Sequence, residues 1–339
     1  MNMDKDLSYV STLMKDTCTN RVAMFSNENA AKHADEAIRQ AHLDLLGGEL
    51  TYQSWRNNKN QIFTIWEDFL RPTLPEAWKT STFYKRLCEV RNGAIGEKNA
   101  FAVKDKSYLL AAKFSGGTWD VERQKIGRAK DIAIDTEWSY IDCYEELDRF
   151  LKGYITTIEM LNEVREGFAV DMDNRIATVF NGMGAYLPSD FVHNGTYDKD
   201  TLIDLIRRVR TANRKNVLVA GSQRAITKIA DGTNANWISS AAKDELATSG
   251  IVVKNLGIGC DAIVIPDSFI PYTYDFAGAD DTLYVLPDEQ LIKIFYEGDV
   301  RAKENSEQEN HDQTIDIQFQ HRVGVELVTS NLFAKYTIA

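Results

Sequence analysis

The chain predicts an α+β protein, and three observations carry that expectation. Between Tyr154 and Asn181 apolar residues recur at helical steps over the longest periodic run in the sequence. Residues 190 to 270 alternate helical segments with short apolar strands, the texture of a compact α/β region. From Leu283 to Ile338 the pattern is that of strands, with Ile315, Ile317, Phe319 and His321 in strict alternation. At 339 residues the chain can bury a large core and divide into two or more domains.

Composition narrows the function classes. With 44% hydrophobic and 26% charged residues the chain is ordinary globular protein. No apolar run reaches membrane-spanning length, so no membrane partner is expected. The start, Met1 to Asp6, lacks the order of a secretion signal, which predicts a protein made and kept in a cytosol. Cys18, Cys88, Cys143 and Cys260 stand far apart, without a CxxC pair, and read as reduced structural thiols. The five histidines show no HExxH or comparable spacing, so no metal and no cofactor are expected. The formal charge, 39 − 50 = −11, argues against a reader of nucleic acid with a dominant basic face. It does not exclude a container whose wall must not grip phosphates, but most acidic proteins are simply soluble, so net charge alone decides little.

In chain order, residues 1 to about 97 read as helical and aromatic-rich. Ala30 to Leu46 holds good helix formers and stops at Gly47-Gly48. Trp55, Ile62, Phe63, Trp66, Phe69 and Leu70 follow at mixed helical spacing, until Pro72 and Pro75 are expected to break the pattern. Trp78 to Val90 reads as a further helix. Residues 98 to 130 change to two extended pieces, Phe101–Val103 and Tyr108–Ala112, then a dense mixture of charges after Gly116-Gly117. A hairpin this polar has little core of its own and gains stability by lying on a neighbour. Ile132–Ile134 and Tyr140–Cys143 are strand segments around Trp138.

The Tyr154–Asn181 helix carries Ile155, Ile158, Leu161, Val164, Phe168, Met172, Ile176 and Val179 on one stripe, with Gly167 marking a bend or a close approach. In the α/β region, helices are expected at Thr201–Asn213, Gln223–Ala230 and Trp237–Thr248. Strands are expected at Val217–Gly221, Ile251–Val253 and Ala262–Ile265, the last stopped by Pro266. Strands Leu283–Leu286 and Leu291–Tyr296, a polar loop from Glu297 to Asp312, and strands to Ile338 complete the chain.

Several short motifs invite chemistry. Gly257 to Ala262 matches the GxGxxA dinucleotide pattern, which needs a helix after it; a β-branched run and Pro266 follow, so a turn between strands is the better reading. Asn194-Gly195-Thr196 matches a glycosylation acceptor, which is empty without secretion. Glu145-Glu146 is expected near a helix start, and Glu304, Glu307 and Glu309 in a polar loop. No P-loop, nucleophile elbow or Ser-His-Asp order is present, and no catalytic residue is assigned. Arg207, Arg208, Arg210, Arg214 and Lys215 form the dense basic cluster, read as a solvated helix face or as a patch toward DNA or an acidic neighbour.

In segment order the chain resembles the tailed-bacteriophage major capsid proteins, with their Hong-Kong-ninety-seven-like shell fold. The segments carrying this resemblance are Lys98–Lys130, Tyr154–Asn181, KNVLVAGSQRAITKI at Lys215–Ile229, CDAIVIPDSFIP at Cys260–Pro271, and TIDIQFQHRVGVELVTSNLFAKYTI closing the chain. The resemblance covers about residues 98–339 and implies an extended loop over 98–130, a peripheral domain over 131–188 and 283–339, and an axial α/β domain over 189–282. Residues 1–97 match no particular part of the family and read as a helical region, either a core subdomain or an N-terminal arm retained in the shell. The peripheral domain would pair a long spine helix with a long antiparallel sheet running from Leu283 to Ile338.

The implied function is structural. Many copies, as pentamers and hexamers, build an icosahedral shell around a double-stranded DNA genome, with portal, scaffold or decoration proteins as partners. The virion is the implied location and the bacterial host cytoplasm the place of assembly. Phe114 and Trp119 read either as anchors in a neighbour's groove or as local packing within the hairpin, with Arg123, Lys125 and Arg128 as further inter-subunit contact candidates. Some members of the family weld subunits by a lysine–asparagine bond. Lys104, Lys106 and Lys113, with Asn305, Asn310 and Glu307, are of the right types, but these types are common at surfaces and the crosslink is not the expected reading. Competing readings are an encapsulin-like compartment shell, a tail or sheath protein, and a cytosolic α/β nucleotide-binding enzyme. The last requires a helix after Ala262.

Overall fold

The computed structural model describes residues 10–16, 29–48, 51–79, 82–97, 99–103, 129–146, 157–185, 187–231, 252–253, 260–304 and 314–338. After a helical segment at residues 10–16, helix α1 spans Asn29–Leu45 and ends where Gly47 and Gly48 take φ of 93° and 85°. Helix α2, Tyr52–Lys79, begins with a reciprocal cap: the Ser54 amide donates to Thr51 Oγ1 at 3.1 Å and the Thr51 amide to Ser54 Oγ at 2.9 Å. Pro72 and Pro75 lie inside α2, which corrects the expected break. Each proline costs roughly 3 kcal/mol in a helix interior. Against this, Trp66, Phe69 and Leu70 are fully enclosed and Leu74 nearly so, at about 1.5–3 kcal/mol per side chain. Burial wins.

Helix α3 is short, Thr82–Leu87, and the chain then extends as strand β1, Cys88–Gly93. The helix expected to continue to Val90 therefore stops early. Parallel pairing of Cys88 to Gly93 with Ile292 to Glu297 overrides local helix preference. Strands β2 (Ala100–Val103), β3 (Lys130–Ala133) and β4 (Glu137–Glu146) follow, then helix α4, Thr157–Gly182, whose 26 residues span ~39 Å. Glu145 and Glu146 thus end a strand, opposite Ile315 and Thr314, and do not start a helix.

Beyond α4 come β5 (Val192–Gly195), α5 (Lys199–Asn213), β6 (Val217–Gly221) and α6 (Gln223–Asp231). Asp198 caps α5 by accepting from the amides of Asp200 and Thr201, at 3.4 and 3.1 Å. The remaining strands are β7 (Val252–Val253), β8 (Asp261–Val264), β9 (Thr282–Pro287), β10 (Ile292–Glu297), β11 (Arg301–Glu304), β12 (Thr314–Leu327) and β13 (Ala334–Ile338). The expected helix at Trp237–Thr248 and the strand at Tyr108–Ala112 lie outside the described residues.

Two main sheets result. The long sheet runs β1-β10-β12-β11, with β4 on β12, and the second sheet runs β5-β13-β9-β6-β8-β7. The single returning sheet expected from Leu283 to Ile338 is therefore corrected. Strands β9 and β13 pair with each other and with the α/β strands, whereas β10, β11 and β12 form the long sheet. Leu283 and Val285 face α5 and α6, while Tyr284 and Leu286 face α4, so β9 is apolar on both sides like a central strand. The expected polar loop from Glu297 also contains β11. Tyr296 faces Val323 and Arg301 faces Gln320, five residues against three, so a bulge at Gly298–Val300 separates two stretches along the same partner.

Helix α4 joins everything. Ile158, Leu161, Val164 and Phe168 pack with α1, α2 and the Ile317–Phe319 part of β12. Met172, Ile176 and Phe180 pack instead between the two sheets, with Phe83, Leu218, Ile263, Tyr284 and Ile294. Gly167 marks a close approach, since a Cβ there would sit 2.8 Å from Ile141 on β4. Arg86 ties α3 to the α/β sheet by forking onto Asp288 (3.2 and 2.8 Å) and reaching Asp261 (2.9 Å).

His321 keeps its place in the buried row of β12, beneath Phe168 at 4.3 Å, and neither ring nitrogen is hydrogen-bonded. Burial drives its pKa down to about 4; Asp171 pulls it up and Arg175 pushes it down, both more weakly. His42, buried with Nδ1 2.7 Å from the Ile38 carbonyl, is lowered as well, again by burial. An unfolded histidine takes its proton near pH 6.5, whereas folded His321 refuses it until about pH 4. Stability therefore falls as the pH drops through that window and levels below it, by on the order of 3 kcal/mol for His321. Thermal melts from pH 7.5 to 4 are expected to show this decline, and His321→Leu is expected to flatten part of it. An identical slope in the variant would show that His321 is not its source.

Candidate functional site

Residues 99–103 and 129–136, the root that flanks the segment 104–128, are held by an unusually dense set of contacts. Strands β2 and β3 pair antiparallel from Ala100↔Ala133 to Val103↔Lys130. Phe101 is buried with Ile134, Phe295 and Val328, a small separate core beneath the root. The Arg91 guanidinium lies 4.3 Å over the Phe101 ring, a cation–π contact that tethers β2 to β1. Asn99 and Ile134 exchange hydrogen bonds across the base, the Ile134 amide donating to Asn99 O at 3.4 Å and Asn99 Nδ2 to Ile134 O.

Glu297 fastens both arms of the root. It accepts from Thr136 Oγ1 at 2.5 Å, after the loop, and from the Gly96 amide at 3.1 Å, before it. Arg322 of β12 lies 3.3 Å from the same carboxylate. Hydrogen bonding, first from Thr136 and then from Gly96, holds the Glu297 pKa below the usual carboxylate range. Gly298 donates to Gly93 O at 2.8 Å, at a φ of 78° that favours glycine. At Gly324 a Cβ would stand 2.4 Å from Asp135 O, so only glycine lets the returning chain cross β12. This machinery is mechanical: it fixes the backbone at both ends of residues 104–128.

Of the residues expected from sequence, Phe114, Trp119, Arg123, Lys125 and Arg128 lie outside the described residues, as do Lys104, Lys106, Lys113, Asn305, Glu307, Glu309 and Asn310. Glu304 ends strand β11 and pairs with Lys59 of α2, which corrects its placement in a loop. The basic cluster is distributed over the outer side and end of α5. Arg207 lies 3.5 Å from Asp204, Arg208 donates to Asp190 O at 3.2 Å, and Lys215 pairs with Glu289. Arg214 takes the left-handed C-cap position at φ 51°. The GxGxxA match continues into strand β8, with no helix from residue 260 to 304, so the nucleotide reading lacks the helix it requires.

Sequence reasoning missed Glu297, Gly324 and two exposed aromatic surfaces. One is the open face of the long sheet, where Trp138, Tyr140 and Tyr144 of β4 point away from α4 while Ser139, Ile141 and Cys143 point toward it. The other is the β8–β9 connection. Alternation in β4 was legible, but nothing in it says which row a helix covers.

The architecture has known counterparts. The capsid of a native GTA particle superposes with a TM-score of 0.52 at 14% identity, over 76% of this chain and 89% of that one. Capsid chains of cyanophage P-SCSP1u (TM-score 0.49, 13% identity, covering 76% and 88%) and Microbacterium phage Oxtober96 (0.48, 12%, covering 76% and 91%) are also similar. Among curated proteins none matches the sequence. The fold is that of a capsid shell protein. The profile of the family described as "SPbeta prophage-derived putative capsid protein YonB" matches residues 9–337, and the chain belongs to that family. It is a shell-forming major capsid protein, and its place is the virion.

Two substitutions test the root. Gly324→Ala is expected to cost about 2 kcal/mol by forcing Cβ into the Asp135 carbonyl. Glu297→Gln is expected to cost about 1 kcal/mol at pH 7. Because the folded pKa of Glu297 is depressed, its contribution is present above the ordinary carboxylate range and is lost as pH falls through the folded value. Urea melts at pH 7 and pH 3 check both, with the Glu297→Gln difference shrinking at the lower pH.

Proposed function

We propose that copies of this chain associate as pentamers and hexamers into a closed icosahedral shell around a double-stranded DNA phage genome, acting structurally and without catalysis. The observation that carries this reading is the braced root at Val103 and Lys130. A small separate core, a cation–π contact and a shared carboxylate hold both arms in one direction, as a chain does when what lies beyond must reach another subunit. Free energy is then spread over many repeated heterologous contacts, so weak interfaces close a stable shell.

In this reading residues 98–130 lie over the adjacent subunit, with Phe114 and Trp119 as anchors and Arg123, Lys125 and Arg128 as polar contacts. The peripheral domain comprises residues 131–188 and the β10–β12 part of the long sheet. The axial domain comprises 189–282 together with β9 and β13, which pair within its sheet. Contact with DNA is non-specific and loose, consistent with a charge of −11 and a basic cluster whose members Arg207 and Lys215 stand beside acidic partners. Portal and scaffold or decoration proteins complete the assembly, which takes place in the host cytoplasm.

Negative-stain microscopy of the chain expressed alone and with its phage neighbours tests this. Closed particles of uniform size are expected, with nuclease-protected DNA in those formed alongside packaging proteins. A protein cargo without DNA would make it a compartment shell instead. A persistent small oligomer under both conditions would overturn the assembly itself.

A further inference from the structure

The connection between β8 and β9 presents large hydrophobic side chains to solvent in an ordered form. Tyr272 and Tyr274 are fully exposed, at 107% and 93%, and Phe269, Ile270 and Phe276 are each nearly half exposed. The loop is not slack. Ile270 and Asp275 are joined by an amide–carbonyl bond of 2.9 Å, and Ala277 donates to Ser268 O at 2.8 Å. The rings of Phe269 and Phe276 stack at 5.0 Å. Two side-chain bonds anchor the loop to α4, Ser268 Oγ to Asn174 Oδ1 and Asn181 Nδ2 to Ala277 O, each 2.8 Å. Tyr272 holds φ at 65°, a conformation costing about 1 kcal/mol for such a residue, with its ring in water. A chain that orders and strains a loop in order to expose tyrosines gains from it only when something covers them.

Charge says what does. Residues 266–281 carry four aspartates and no Lys, Arg or His. Asp280 and Asp281 pair with Arg224 and Lys228 of α6, so Asp267 and Asp275 give the loop its negative charge, which favours an aromatic surface bearing cations. This chain displays one. On the open face of the long sheet, Tyr140 lies opposite Gln320, Gln320 opposite Arg301, and Gln318 opposite Lys303, so these side chains share a face with Trp138 and Arg322. Arg301 lies 5.0 Å over the Trp138 ring and Arg322 6.0 Å, so cations and aromatics sit together at the Trp138 end of a face whose Tyr144 end carries Asp142 and Asp316.

We propose that the Phe269–Phe276 loop docks on the open sheet face of a second copy of this chain, its tyrosines against Trp138 and Tyr140 and its aspartates toward Arg301 and Lys303. The proposal rests on the shell reading above and adds a contact outside the extended loop. Size fits a shell and not a free dimer. At ~150–250 Å² for a fully exposed aromatic, two exposed tyrosines and two half-exposed phenylalanines offer roughly 450–700 Å², below the roughly 800 Å² per partner of a standard stable interface. It therefore holds only alongside other repeated contacts, and no isolated loop-mediated dimer forms.

Shells grown from a mixture of ¹⁴N- and ¹⁵N-labelled chains, treated with a carbodiimide, test it. The reagent joins an aspartate carboxyl carbon to a lysine Nζ as an amide with loss of water. Peptides linking residues 267–281 to Lys303 are expected in mixed light–heavy pairs, which prove that two copies are joined. Tyr272→Ser with Tyr274→Ser is expected to reduce shell yield at least tenfold while the melting temperature of the unassembled chain is unchanged or higher. Intact shells that yield other light–heavy pairs but none from this loop to Lys303 would overturn the inference and leave the shell reading standing. So would full shell yield from the double variant. Failure of the parent chain to form particles under any condition would remove both.

Discussion

The structure depends on the division of one apolar stripe between two sheets. Helix α4 gives Ile158 to Phe168 to the core under α2 and β12, and Met172 to Phe180 to the core between the long sheet and the α/β sheet. A rigid helix of ~39 Å therefore sets the distance and angle between two units that otherwise share few elements. Gly167 sits near the end of the first half of the stripe, where β4 approaches too closely for a side chain. Arg86 adds a polar brace from α3 to the α/β sheet, reaching Asp261 on β8 and Asp288 beyond β9.

This arrangement covers some faces and leaves others bare. The α/β sheet is covered on one side by α5 and α6 and on the other by α4 and α3, so it is finished within the subunit. Among the described residues, α2 and α4 cover one side of the long sheet, while on the other the β2–β3 root covers Phe295 and the β4 row presents Trp138, Tyr140 and Tyr144. A monomeric protein would carry polar residues there. A capsid subunit is a part whose remaining surfaces are completed by copies of itself. At the root formed by Val103 and Lys130, many small contacts around Phe101 hold β2 and β3 in place.

Much of the fold was legible because periodicity reports burial directly. The stripe from Ile158 to Ile176, the inner residues Leu202, Leu205, Ile206 and Val209, the run Val217–Gly221 and the alternation ending at His321 all lie as their spacing requires. What failed were inferences from local preference alone. Pro72 and Pro75 read as a stop but remain inside α2, because Trp66, Phe69, Leu70 and Leu74 lose far more outside the core than the prolines cost inside the helix. Cys88 to Val90 reads as helix but pairs with β10, a partner some two hundred residues away.

By itself, the sequence determined which residues face inward and in what order helices and strands occur, since side-chain period is a property of neighbours along the chain. Only the tertiary structure decided which strands join which sheet. Leu283–Leu286 and Ile315–Phe319 have the same texture, and their separation into two sheets follows from long-range pairing that no local pattern encodes. It also decided that Glu297 would tie Gly96 to Thr136, and that Gly324 would face a carbonyl. Exposed aromatics were hidden for the converse reason. Tyr272 and Trp138 have the chemistry of core residues, and only the three-dimensional packing shows that no part of the described chain covers them.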